Sequence, residues 1–390
     1  VEKCFRGRAR SAVPLYLSYA VEENEGPGAA LALIEQFFAG TEGGRQTGSS
    51  GAAADEDVRE ALLFAAVRYS SLTENWSGVE KYAGRYLDTY PGTERTPRVT
   101  YLYAFALYRT DQSRAALRVL SDLARKREEG GFYDDITLLL ARVHMELGRW
   151  SEADEVLREY LPLHPEEPKV YADLIRVSFS MKDWEQAVHW SETLEERVAN
   201  LETAHPGIYF ETAYLRGLSY LGMKRYRSGA ERLEALMEGG YLEDGEGSMG
   251  PQLMFFAGWA RYKLAEYGRS ISHFSSLVER YPDHSRTPEG RYLLGWASFA
   301  DERYTRAEEA FAEYARFAGE RADRMRGLYM YAKSLSLGGN TREALSVYRQ
   351  VFEEGSGTEV ADDALFEYAA LLSDEGRISD AVDTYMRLYR

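Results

Sequence analysis

The chain has 390 residues, of which 45% are hydrophobic and 28% charged, a composition typical of a folded globular protein. Its 47 basic and 63 acidic residues give a net charge of −16, which disfavours nucleic acid as a partner because phosphates need a basic surface. A single cysteine, Cys4, excludes an internal disulfide framework and a cysteine-rich zinc site. No apolar run reaches the ~18 residues of a transmembrane helix. We therefore expect no metal, no cofactor and no membrane span.

The chain reads in order as about ten helical hairpins, each aligned on one residue of its first helix, which we call the anchor. The anchors are Ser18, Val67, Ala104, Ala141, Ile175, Gly217, Gly258, Gly295, Ala332 and Ala369. The last four anchors are spaced at intervals of 37 residues. Large apolar residues recur around them at helical spacing, and a second small residue follows twelve positions later, as in Ala307 and Ala344. This period predicts pairs of antiparallel helices that pack closely through small side chains.

Interruptions of the period divide the chain into four segments. The first hairpin occupies residues 1–40, and the Gly/Ser-rich segment 41–57 is predicted to be a mobile insert without regular structure. Repeats two to five are predicted in residues 58–200 and repeats six to ten in residues 201–390. Both ends of the chain are expected to continue in a longer protein. One hairpin cannot bury its apolar face alone, so the hairpins are expected to stack.

The repeat pattern resembles the tetratricopeptide repeat, and the fourth unit shows it most fully. The matching positions of that unit are Leu140, Ala141, Gly148, Trp150, Ala153 and Pro165. The resemblance implies an all-α, right-handed α-solenoid of about ten hairpins. It also implies a concave surface, lined by the first helices, in which a partner binds.

Two linkers resemble those of a bacterial envelope subset of this family, which includes the periplasmic Tol–Pal coordinator and outer-membrane assembly lipoproteins. The linkers carry Tyr90-Pro91 with Thr96-Pro97, and Tyr281-Pro282 with Thr287-Pro288. This resemblance implies a periplasmic or envelope-associated location, with a cytoplasmic location as the alternative.

The sequence carries no recognisable catalytic motif. The six histidines are scattered, and the sequence contains no HExxH motif, no GxSxG motif and no Walker A loop. Neighbouring carboxylates such as Glu308 and Glu309 are ordinary for the solvated helix faces of an acidic protein. The sequence therefore predicts that the chain is not an enzyme.

The concave surface of repeats six to nine is predicted to be aromatic. In this family the inner stripe lies six and three residues before the anchor, and one and four after it. The candidate groove residues are Tyr214, Phe255, Trp259, Tyr262, Tyr292, Trp296, Phe299 and Tyr329. Trp259 and Trp296 each directly follow an anchor, and burial against a capping segment is the alternative to a groove role for them.

The same stripe is basic in the amino-terminal half. Arg68, Arg142 and Arg176 directly follow anchors, while Arg98 and Lys169 lie six positions before them. Arginine recognises carboxylate or phosphate through paired hydrogen bonds, so this ridge is a candidate anion site. The alternative is that the arginine stems pack on the helices and that acids of the second helices balance them. The inner stripe of repeat three continues with aromatic residues, Tyr101, Phe105 and Tyr108.

These features predict a non-catalytic scaffold that binds a protein or peptide partner in its groove. The alternative is a self-associating structural subunit of a larger complex. The residues leave the identity of the partner and the oligomeric state open.

Overall fold

The computed structural model describes residues 2–42, 52–125, 133–240 and 249–389. Helices joined by short turns account for the secondary structure of these residues, which include no strand. The predicted fold class, an all-α solenoid of helical hairpins, is confirmed. The chain divides into two compact units, residues 1–181 and residues 182–390. The boundary falls inside the fifth predicted hairpin.

Unit 1 contains four hairpins and the first helix of a fifth. Its helices are α1 Glu2–Glu25, α2 Pro27–Glu42, α3 Ala52–Leu72, α4 Trp76–Thr89, α5 Thr96–Arg109, α6 Ser113–Arg125, α7 Tyr133–Glu146, α8 Trp150–Tyr160 and α9 Pro168–Ser180. A short 3-10 helix, Leu161–Leu163, follows α8. Each helix packs against the next in the chain, and the odd-numbered helices are the first helices of the hairpins.

Unit 2 begins with the second helix of the fifth hairpin and continues with five further hairpins. Its helices are α10 Trp184–Arg197, α11 Leu201–Ala204, α12 Pro206–Gly222, α13 Tyr226–Glu238, α14 Gly250–Lys263, α15 Tyr267–Arg280, α16 Thr287–Ala300, α17 Tyr304–Phe317, α18 Arg321–Leu337, α19 Thr341–Glu354, α20 Ala361–Asp374 and α21 Ile378–Tyr389. From α12 onward each helix packs against the next, and the even-numbered helices are the first helices.

The turn inside each hairpin from the second to the fourth, and from the sixth to the tenth, is closed in the same way. The turn after α14 shows it: the amide of Glu266 donates to the carbonyl of Arg261, and Ala265 adopts a left-handed φ of 56°. This is the Schellman arrangement that ends a helix with a residue in the left-handed region. Gly148 occupies the corresponding position of the fourth hairpin at a φ of 69°. The repeated turn holds the two helices of these hairpins antiparallel.

The predicted insert is shorter than the sequence suggested. Helix α2 extends to Glu42 and α3 begins at Ala52, so the prediction of irregular structure is wrong for residues 41–42 and 52–57. Residues 43–51 lie outside the described part of the chain. The physical reason is that residues 52–57, AAADED, combine strong helix formers with acids that favour a helix amino terminus. Their low complexity resembled a linker, but their helix propensity is high.

The glycine anchors are points of close helix contact. A Cβ atom added at Gly295 would lie 2.6 Å from Cε1 of Phe311, a buried ring of the partner helix α17. At the preceding repeat the Ser270 hydroxyl donates to the Gly258 carbonyl at 2.9 Å, so the two small positions of that hairpin touch directly. These contacts explain why the sequence keeps small residues at both positions.

We expect Gly295→Ala to lower the free energy of unfolding by about 1–3 kcal/mol, because the added methyl group collides with the Phe311 ring. The matched control is Gly268→Ala, since a Cβ at that helical position meets no atom within 4 Å. The control should be neutral or stabilising by up to about 1 kcal/mol, the helix propensity difference. Urea denaturation of both variants measures this, and equal effects would remove Gly295 from the packing seam.

Candidate partner-binding site

Eight aromatic residues of unit 2 were predicted to line a groove, and one of them is a core residue. Phe255 is 4% exposed and packs edge-on against Phe274 at a ring distance of 6.1 Å. The guanidinium of Arg286 covers its ring at 4.9 Å. The groove prediction is therefore wrong for Phe255. In this repeat the side chain three residues before the anchor points toward the second helix. It fills the space between the two helices of the hairpin.

The two tryptophans that follow the anchors are half-buried. Trp259 contacts Tyr226 edge-on at 5.5 Å, and the ammonium of Lys263 lies 5.6 Å from its ring. Trp296 meets Phe299 and Phe311 edge-on, each at 6.1 Å. Neighbouring rings thus fix the orientation of both indoles, while part of each ring remains open to solvent.

The remaining predicted aromatics lie on the first helices α12, α14, α16 and α18 and are all half-buried. They are Tyr214, Tyr262, Tyr292, Phe299 and Tyr329. Tyr292 packs against Tyr314 at 4.8 Å, and burial raises the pKa of Tyr314 to about 12. Burial also raises the pKa of Tyr214 to about 12. The phenols of Tyr214 and Tyr314 are therefore neutral at ordinary pH and offer apolar and hydrogen-bonding contacts rather than charge.

The basic ridge of unit 1 is largely compensated by acids. Arg68 donates to Glu22 at 2.7 Å, and Arg142 and Arg176 both flank Asp173. These acids come from the first helices α1 and α9, not from second helices as the packing alternative supposed. The guanidinium of Arg98 lies 5.9 Å from the Phe64 ring centre, and Lys169 is exposed. The cations of the ridge are therefore separate from one another. Two of them, Arg142 and Arg176, line a single recess.

This recess is a cavity of about 500 Å³ formed by α5, α7 and α9, together with the start of α8. We call it the α5–α9 recess. Its lining residues are Phe105, Tyr108, Arg109, Arg142, Met145, Glu146, Trp150, Asp173 and Arg176. The sequence analysis had placed Phe105, Tyr108, Arg142 and Arg176 on the inner stripe. Three successive first helices therefore direct their side chains into one space.

The recess combines an aromatic wall with guanidinium groups. Trp76 contacts Phe105 edge-on at a ring distance of 5.3 Å, and the Arg109 guanidinium lies 5.0 Å from the Trp76 ring. Three arginines and two acids line the space, which leaves an excess of one positive charge. Such a surface can hold an apolar side chain and a carboxylate side by side.

Five lining residues were missed by the sequence analysis. They are Arg109, Met145, Glu146, Trp150 and Asp173. Arg109 and Glu146 lie five residues after their anchors, one position beyond the stripe that was searched. An inner stripe that included the fifth position after each anchor would have identified Arg109 and Glu146. Asp173 carries no such signal, because a lone helical acid does not reveal which neighbouring arginines it contacts.

Nowhere in the part of the chain that the structure describes do three or more His, Cys, Asp or Glu side chains form a group that could hold a metal ion. None of the described helices is both long and apolar enough to cross a membrane.

Comparisons with known proteins agree with the repeat pattern. Residues 134–177 and residues 255–322 each match a family model described as tetratricopeptide repeat. No curated protein matches the sequence.

The solved structures similar to this chain include the apo form of RapI, with 11% identity, a TM-score of 0.52, and coverage of 84% of this chain and 94% of that chain. A tetratricopeptide repeat protein from Parabacteroides merdae has 15% identity and a TM-score of 0.45, over 69% of this chain and 96% of that one. The C-terminal part of a repeat protein from Cytophaga hutchinsonii has 15% identity and a TM-score of 0.46, over 73% and 98%. At such identities the likeness to RapI supports the fold alone.

Proposed function

Because the chain carries tetratricopeptide repeats, which are scaffolds for protein–protein interaction, we propose that it binds an extended segment of a partner protein in the α5–α9 recess. The observation that carries this proposal is the convergence of side chains from three successive first helices on one open cavity. Concave sites with an apolar lining and a few fixed polar groups are where proteins ordinarily bind ligands. The proposed role is non-catalytic.

The lining of the recess indicates the kind of segment that fits. Phe105, Tyr108 and Met145 offer apolar surface, while Arg109 and Arg142 offer donors for a carboxylate. Asp173 is 5% exposed and lies against Arg142 and Arg176, which keeps the guanidinium groups in place. A segment with a large apolar side chain next to Asp or Glu complements both features.

Selection of a displayed random peptide library on the purified chain tests this proposal. We expect enrichment of peptides that pair a large apolar residue with an adjacent acid, with dissociation constants of about 1–100 μM for such small interfaces. Enrichment of basic peptides, or of no peptide that binds more tightly than about 1 mM, would contradict the proposal.

We propose the half-buried aromatic face of α14 and α16 as a second contact surface. Its centre is formed by Trp259 and Trp296, whose rings are fixed by their neighbours and therefore lose little entropy on binding. For a partner that docks on unit 2, Trp259→Ala with Trp296→Ala is expected to weaken binding at least about tenfold.

Fluorescence quenching tests the accessibility of this face. Acrylamide should quench Trp259 and Trp296 in the free chain, because both rings are partly exposed. The fluorescence intensity that acrylamide can quench should fall in the double Trp→Phe variant, which keeps an aromatic ring at both positions. A quenchable intensity equal to that of the wild-type chain would show that both indoles are inaccessible, and the second surface would be abandoned.

Self-association is the second candidate function, and exposed apolar side chains favour it. Phe366, Ile378, Val382 and Met386 of the last hairpin are all about half exposed, at 47–57%. Such a patch on a helix pair can dock on another copy. Light scattering over a concentration series decides: a mass that rises with concentration supports assembly, and a constant monomer mass contradicts it.

We also propose a bacterial, periplasmic or envelope-associated location. The support is the resemblance of the two Tyr-Pro and Thr-Pro linkers, at residues 90–97 and 281–288, to those of envelope repeat proteins. Cell fractionation against periplasmic and cytoplasmic markers tests this. Recovery with the cytoplasmic markers would contradict it and favour the alternative location.

A further inference from the structure

Four arginines line a second cavity of unit 1, which has a volume of about 570 Å³. Arg114, Arg118 and Arg125 belong to α6, and Arg149 directly precedes α8. The rest of the lining is Leu117, Ser121 and Asp122. None of these residues lines the α5–α9 recess, so the cavity is a separate candidate site.

The guanidinium groups of this cavity are available to a ligand. Arg114, Arg118 and Arg149 are exposed, and their side chains form no hydrogen bond or ion pair with the residues that the structure describes. Arg125 approaches Asp122 at 3.5 Å, but both side chains are largely exposed, and such surface pairs contribute little. Four arginines face one acid in a chain whose net charge is −16. The charge of the chain is therefore locally reversed here.

The spacing of the arginines matches an extended peptide. With a rise of about 1.5 Å per residue, Arg114 and Arg118 are about 6 Å apart along α6, and Arg125 lies about 10 Å beyond Arg118. An extended chain advances about 3.3 Å per residue and places alternate side chains on one side, about 6.6 Å apart. About five residues with alternating acids could therefore reach all three arginines of the helix.

The lining also distinguishes among polyanions. Proteins that bind single-stranded nucleic acid stack its bases on aromatic side chains, and this cavity contains none. Duplexes and anionic membranes present extended negative surfaces, which the net charge of −16 repels outside a small basic site. A short acidic segment avoids most of that repulsion.

We therefore propose that the α6 arginine cluster binds an acidic segment of a partner protein, with Arg114 and Arg118 as the principal contacts. Each guanidinium donates paired hydrogen bonds to a carboxylate of the segment, and Leu117 supplies an apolar floor. The three α6 arginines of this site lie on a second helix, whereas first helices supply most of the lining of the α5–α9 recess.

Fluorescence anisotropy with defined probes tests this proposal on the whole chain. The first probe is a labelled pentapeptide with Glu at positions one, three and five separated by Gly, and the second has Gln in place of each Glu. The wild-type chain is expected to bind the Glu probe about tenfold more tightly than the Gln probe, and this preference should shrink with added salt. Arg114→Gln with Arg118→Gln should weaken binding of the Glu probe about tenfold or more.

A matched control separates this site from other arginines. Arg225→Gln with Arg269→Gln makes the same charge change at exposed positions of unit 2. This variant should leave affinity for the Glu probe within about twofold, and unchanged circular dichroism should verify folding. Absent binding, equal binding of both probes, or an equal loss in the control would overturn the proposal. Tighter binding of oligouridine or of phosphatidylserine vesicles through the same two arginines would overturn the peptide assignment.

Discussion

Arg261→Met is expected to lower the free energy of unfolding of unit 2 by about 3 kcal/mol, because it breaks a buried ion network. Arg261 is only 1% exposed. Its Nε donates to Glu234 at 2.9 Å and its Nη1 donates to Glu266 at 2.6 Å. His273 contacts Glu234 at 2.8 Å. Methionine fills the space but leaves two acids, each at most about a quarter exposed, without their cation.

The same network predicts how acid affects the chain. Burial tends to raise the pKa of Glu234, but hydrogen bonds from His273 and Arg261 outweigh it and lower the pKa to about 2. The stabilisation from this carboxylate is therefore complete above about pH 4.5 and is lost as the pH falls toward about 2. Arg261→Met should flatten that loss, because Glu234 then titrates closer to its ordinary range.

Urea denaturation at pH 7 and at pH 3 measures both effects, with Arg269→Met as the matched control because Arg269 is exposed on α15. Hydrogen exchange should locate the lost protection in α13, α14 and α15, since damage in stacked repeats stays near its origin. A decrease in the free energy of unfolding of less than about 1 kcal/mol at pH 7, or an equal decrease in the control, would contradict the prediction. Either result would show that the network contributes no more than an exposed ion pair.

Tyr108→Ala with Arg142→Gln is expected to weaken binding of a peptide selected on the chain by about a hundredfold. Each change removes one lining contact of the α5–α9 recess, and truncating a central contact commonly costs a factor of about ten or more. Both side chains are partly exposed, so the fold should survive. Anisotropy titration measures the affinity.

The matched control for this prediction is Tyr16→Ala, which removes an aromatic ring that is 69% exposed on α1 and lies outside the recess. Its affinity for the peptide should stay within about twofold of wild type. An equal loss in the control, or unchanged affinity in the double variant, would place the peptide elsewhere.

The sequence predicted the hairpins well because their constraints are local. An anchor such as Gly295 must be small for two helices to approach, and its spacing from Gly258 and Ala332 exposes the period directly. The boundary of α3 was predicted wrongly because residues 52–57 are simple in composition but strong in helix propensity. Local pattern thus located the hairpins but misplaced this helix end.

The candidate site was only partly predictable because it depends on contacts between repeats. The inner stripe identified Phe105 and Arg142, but not Asp173, which joins Arg142 and Arg176 across α7 and α9. Phe255 was misassigned because a stripe position alone does not say how far the helix rotates toward its partner. The contacts of side chains such as Asp173 and Phe255 follow from the packing of neighbouring helices. The spacing of residues along one helix does not determine them.

Hydrogen exchange of the whole chain, with and without a saturating selected peptide, tests the scaffold proposal most directly. Bound peptide should slow exchange in the described helices α5, α7 and α9, which line the recess, and the Tyr108→Ala with Arg142→Gln variant should lose that protection. Protection confined to other helices, or unchanged in the variant, would contradict binding in the recess.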